Sequence, residues 1–114
     1  MKPLFIPLKR EFFFAFVAGF KEWEFRLYGP RWNEETCARG RAVLLSNGYG
    51  KHDRAVGTIL EFKKIRFEKL PLPAREAIRK CYGWKADGAD IAAIRIGDVG
   101  QCPKHIHITL TFTT

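Results

Sequence analysis

Residues 19–33 read GFKEWEFRLYGPRWN, and the reading of this stretch decides the fold. Up to Gly19 the apolar residues recur at helical spacing; from Lys21 onward they alternate. Trp23, Phe25 and Leu27 fall on one side of a strand over 23–28, and Glu22, Glu24, Arg26 and Tyr28 on the other. Such a second face is either solvated or lines a polar cavity. Lys21 sits at the helix-to-strand corner, where its long arm reaches over the polar face. Tyr28-Gly29-Pro30-Arg31-Trp32-Asn33 then makes a turn bearing one cation and two aromatics.

Working outward, residues 1–7 form an apolar, two-proline extended arm, and Pro7 suits the first turn of the helix that follows. Phe12, Phe13, Phe16, Val17 and Phe20 make one stripe, too bulky for a surface helix, and Gly19 is expected to end it in a left-handed conformation. Downstream, Asn33 caps a turn through Glu34 and Glu35, and Arg39-Gly40 leads into a strand over 42–46. The loop over 47–53 has strong turn chemistry. Its glycines bring backbone N–H groups within reach of an anion, with Lys51, His52 and Arg54 as further donors. An ordinary hairpin loop explains the same residues.

The strand over 55–67 changes phase: Val56, Thr58, Leu60 and Phe62 share one parity, Ile65 and Phe67 the other. A bulge or bend, the device that curves a sheet, is therefore expected there. Glu61 shares parity with Gly57 and Ile59 and is placed facing inward. A second helix is expected over 73–82, burying Ala74, Ala77, Ile78 and Cys81, with Gly83 as its stop. Strands over 89–96 and 106–112 follow. Two or three helices around about five bent strands give an α+β fold with a small curved β-barrel.

The chain has 114 residues, enough for one domain spanning 1–114 and one core, which ten phenylalanines help to fill. A net charge of +8 favours polyanionic partners. Cys37, Cys81 and Cys102 form no C-x-x-C pair and leave one thiol over, as in a reduced, cytoplasmic protein. The apolar run 12–20 is shorter than the about 20 residues a membrane span takes and carries no export signature, so no membrane partner is expected. Cys102, His105 and His107 have zinc-ligand chemistry but match no tetrahedral spacing, and paired strand histidines are ordinary polar-face residues; no metal and no cofactor is expected.

Gly19, Lys21, Glu24 and Arg26, after the helix LKREFFFAFVAG and before Arg31-Trp32-Asn33, resemble the signature of the ASCH domain family within the PUA-like superfamily. The resemblance continues through Arg39-Gly40 into 42–46. It implies a PUA-like barrel with Lys21 in a ligand cleft, and a family divided between RNA binding and hydrolysis. Small amidohydrolase members remove the acyl group from the exocyclic amine of acylated cytidine. They carry threonines where this chain has Glu22 and Glu24, so a threonine nucleophile is absent. The family's second catalytic glutamate finds no counterpart between Glu68 and Glu76. Water activated by Glu24, or by Glu61, is the route left, with Lys21 polarising the carbonyl. The same residues also fit an ion-pair network that ties helix to strand.

Two functions follow. One is a small amidohydrolase on an acylated cytosine nucleoside, using Lys21, Glu24 and Glu61 beside Arg26. The other is a single-stranded RNA-binding module, or a ribonuclease, with Arg31, Lys51 and Arg54 on phosphates and Tyr28, Trp32 or Tyr49 stacked on bases. A closed pocket for one nucleoside distinguishes the first from an open basic groove for the second.

Overall fold

The computed structural model describes residues 1–102. Five strands, β1 (Leu4–Leu8), β2 (Trp23–Leu27), β3 (Ala42–Asn47), β4 (Arg54–Arg66) and β5 (Asp90–Gln101), form one mixed sheet in the order β1-β3-β4-β5-β2. β1 runs parallel to β3 and every other pair is antiparallel. The sheet curls into a half-barrel with β1 and β2 as its two edges. The expected strand over 106–112, with His105 and His107, lies outside the described residues. Among those described, no helix is long and apolar enough to cross a membrane.

Helix α1 (Arg10–Val17) fills the concave side. Phe13 and Phe16 are fully buried there with Ile6, Val43, Leu45, Ile59 and Ile94, each large side chain contributing about 1.5–3 kcal/mol on removal from water. Gly19 takes φ +83°, a backbone that L side chains rarely adopt, and the N–H groups of Phe20 and Lys21 both turn back to the Ala15 carbonyl. That reversal throws Phe20 off the stripe, so it is 88% exposed rather than packed. Pro7 does not open α1. It belongs to β1, opposite Ser46, and Lys9 precedes the helix in extended conformation.

β4 bends where its pairing with β5 shifts register, once between Val56 and Thr58 and again between Ile59 and Glu61. Ala55, Gly57 and Ile59 face inward before the second shift; Phe62, opposite Ile94, does so after it. The bend thus lies earlier than the sequence parity indicates. Ile65 ends on the convex face and joins a second cluster of Phe67, Leu70, Ile78, Ala86 and Ile91. Helix α2 (Leu72–Tyr82) packs on that cluster through Ile78 and stops at Gly83, φ +61°. Two short 3₁₀ turns, Phe67–Lys69 and Gly83–Ala86, flank it.

Candidate functional site

The two edge strands are not paired with each other, and one side chain spans the seam between them. The Arg26 guanidinium donates through Nη2 to the Pro7 carbonyl of β1 at 2.6 Å. The same group places Nε and Nη2 each 2.7 Å from Glu24 Oε2. Glu24 is 7% exposed, the one buried carboxylate among the described residues. In register it sits opposite Ile94, as Arg26 sits opposite Ala92, so both point to the concave side. Trp23, on the apolar side of the alternation, is only half-buried. The second cluster covers Phe25 and Leu27 on that face but does not extend to Trp23, which pairs with Arg95, while on the other face Glu24 and Arg26 face the first cluster.

Lys21 completes the arrangement. Its Nζ lies 3.5 Å from Glu24 Oε1 and donates to the Trp23 carbonyl. The rings of Phe12, Phe16 and Phe25 surround it at 5.2, 5.2 and 5.7 Å, an aromatic cage for an ammonium. The sharp end of α1 at Gly19 is what brings this corner lysine over β2.

These groups wall a cavity of about 220 Å³ between the end of β1, α1, β2 and α2. Pro7, Leu8, Lys9 and Phe12 line one side, Lys21, Glu24, Phe25 and Arg26 the floor, and Ala77, Ile78, Cys81 and Tyr82 the other side. Three cations against one carboxylate give the lining a net charge of +2. The Tyr82 phenol is held above its ordinary value, chiefly by burial, although the nearby Arg26 charge pulls the other way. The sequence reading omitted the α2 wall. Extending the stripe Ala74, Ala77, Ile78, Cys81 by one residue includes Tyr82, four positions after Ile78 on the same face.

The remaining candidate residues do not line this cavity. Glu61 lies beyond the second register shift and so turns to the convex face, pairing with Arg95 at 3.3 Å and Lys63 at 3.4 Å. It borders a separate depression of about 410 Å³ with Glu34, Cys37, Arg39 and Arg95. Tyr28 donates its phenol proton to Glu34, and that carboxylate, with burial second, raises its pKa. Trp32 is buried, with the Arg26 and Arg31 guanidiniums 4.8 and 4.9 Å from its ring, so its faces are already occupied. Tyr49, Lys51 and Arg54 belong to the β3–β4 hairpin. Tyr49 is exposed with its ring 6.1 Å from Phe5, Lys51 is exposed, and Arg54 donates to the Gly50 carbonyl at 3.2 Å.

Among the described residues no cluster of three or more His, Cys, Asp or Glu is placed to hold a metal ion. What the cavity brings together is a caged ammonium, a carboxylate with one oxygen tied to arginine, and aromatic walls. Comparison of the chain with protein-family models, curated proteins and solved structures gives no match.

Proposed function

We propose that this chain is a PUA-like, ASCH-type amidohydrolase that removes the acyl group from the exocyclic amine of an acylated cytosine nucleoside. One observation carries the reading: Lys21 and Glu24 stand 3.5 Å apart on the floor of a half-enclosed cavity. Its size suits one ring and a small substituent, being below the about 300–1,000 Å³ of drug-sized sites. Phe12, Phe25 and Tyr82 offer apolar surface to a base, and the signature residues supply the family resemblance.

The chemistry requires a base for water and a cation where negative charge develops. Arg26 occupies Glu24 Oε2 from two nitrogens, which leaves Oε1 to accept from water beside Lys21. Glu24 takes a proton as the water oxygen adds to the acyl carbonyl. The carbonyl electron pair moves onto oxygen, opposite the Lys21 ammonium. Collapse breaks the C–N bond, the departing cytosine amine takes the proton back from Glu24, and the carboxylic acid leaves, releasing its remaining proton to solvent. The three rings around Lys21 keep bulk water from screening the ammonium, which strengthens its effect on the oxyanion.

The test is release of cytidine from N-acetylated cytidine. Lys21→Ala should lose about 10²–10³ in rate, the worth of one oxyanion donor. Glu24→Gln keeps the shape, so cytidine binding survives while turnover falls by about 10²–10⁴. No cytidine released by the unaltered protein, or normal turnover by Glu24→Gln, overturns the mechanism.

A further inference from the structure

The charge of this chain is unevenly spread, and the greater part of the imbalance lies away from the cavity floor. Residues 69–85 hold five Lys/Arg against Glu76 alone, a net of +4 and half of the whole chain's +8. Within that segment α2 turns its apolar residues inward: Ile78 is buried, and Ala74 and Tyr82 pack on the second cluster. The outward side is therefore cationic. Arg79 is engaged by Asp87 at 2.9 Å, but Lys69, Arg75, Lys80 and Lys85 have no carboxylate within 4.0 Å among the described residues. Arg75 Nε is shielded from solvent and has no hydrogen-bond partner. Against this field stands Trp84, 80% exposed on the turn that follows α2, between Lys80 and Lys85 in sequence.

An exposed indole flanked in sequence by Lys80 and Lys85 offers a stacking face beside cations that no carboxylate engages. We infer that the outer side of α2, with Lys69, Lys80, Trp84 and Lys85, is a binding surface for single-stranded nucleic acid. Phosphates neutralise the free cations, and an unstacked base covers the indole. An anionic membrane is the competing polyanion, and the packing argues against it. An interfacial helix presents its apolar face to lipid, whereas α2 has spent its apolar face on Phe67, Leu70 and Ile91. One indole and Leu72, at opposite ends of the helix, form no continuous apolar stripe. Duplex nucleic acid would satisfy the charge and leave the indole uncovered.

This inference stands apart from the hydrolase proposal, since none of its four residues lines the cavity. The experiment is fluorescence anisotropy of the full chain with a labelled 12-nucleotide uridine oligomer, titrated at several salt concentrations. Trp84→Ala should weaken binding about 5- to 150-fold, the range for losing one base–aromatic stack. Lys80→Ala and Lys85→Ala should each lower the slope of log affinity against log salt by about 0.7. Lys63→Ala, whose ammonium already faces Glu61, should change neither. All these side chains are exposed, and unchanged thermal melts confirm that the variants fold. Equal affinity for a duplex with Trp84→Ala silent overturns the single-strand assignment. Loss on Lys51→Ala instead moves the surface to the hairpin. No oligomer binding at low salt, with Trp84-dependent sedimentation on phosphatidylserine vesicles, assigns the surface to lipid and overturns the proposal.

Discussion

Replacing Arg26 by alanine tests whether one guanidinium closes the seam between the sheet edges. Three interactions vanish together: the bond to the Pro7 carbonyl, the two-nitrogen contact with Glu24, and the stack on Trp32. The Arg26 and Glu24 side chains are 15% and 9% exposed, so the pair is well shielded from water. Removing one partner of a buried pair costs about 3–5 kcal/mol, mostly because the other charge is left stranded. Lys21 at 3.5 Å still faces Glu24, which argues for the low end, about 3 kcal/mol. For a domain of this size that lowers Tm by about 12 °C. Urea denaturation followed by circular dichroism measures the loss, and the Glu24→Gln/Arg26→Ala double variant apportions it. With neither member of the Arg26–Glu24 pair left charged, and the loss of Lys21's partner already counted in the Glu24→Gln single variant, the double variant should be more stable than the sum of the singles predicts, by about 1–3 kcal/mol. A loss below about 1 kcal/mol for Arg26→Ala, or strict additivity, would refute the view that this contact seals the half-barrel.

Three further outcomes follow from the packing. At Gly57 an added Cβ meets Ile96 Cγ2 at 3.0 Å, the Gly97 carbonyl at 3.1 Å and Val43 Cγ2 at 3.3 Å. Gly57→Ala should therefore cost about 1–3 kcal/mol, while Gly100→Ala, with open space around it, serves as the neutral control in the same melts. Cys81 is exposed and Cys37 fully buried, so a thiol reagent should label Cys81 rapidly in the native protein and Cys37 only on unfolding. Burial holds the Cys37 thiol above its ordinary 9.0. The unfolded chain then ionises first as pH rises past 9.0, stability falls, and Cys37→Ala should flatten that fall.

Much of the scaffold is legible in the sequence because local rules govern it. Gly19 and Gly83 mark the helix ends through their positive φ, and the alternation over 23–27 gives β2. Non-local facts are not legible. Parity assigns two faces to β2 but cannot tell that both are covered, so Glu24 rather than Trp23 is the buried residue. Glu61 shares parity with Ile59, yet a register shift set by pairing with β5 separates them. The site divides in the same way. Lys21, Glu24 and Arg26 are close in sequence and meet, whereas the Pro7 carbonyl and Tyr82 join them only through the tertiary fold.

The pairing of β2 with β5 also bears on how the chain is made. Glu24 finds its ladder partner at Ile94, 70 positions later. At about 5–20 residues per second a ribosome takes roughly 4–14 s to supply that partner. Throughout that interval Trp23, Phe25 and Leu27 wait as an unpaired strand of high β propensity, the kind that adheres to neighbouring nascent chains. Lys21, Glu22, Glu24 and Arg26 interleave them with charge at nearly every second position. Charges in such a place are gatekeepers against aggregation. The residues that later floor the cavity thus protect the growing chain first, and a substitution chosen to probe one role also perturbs the other.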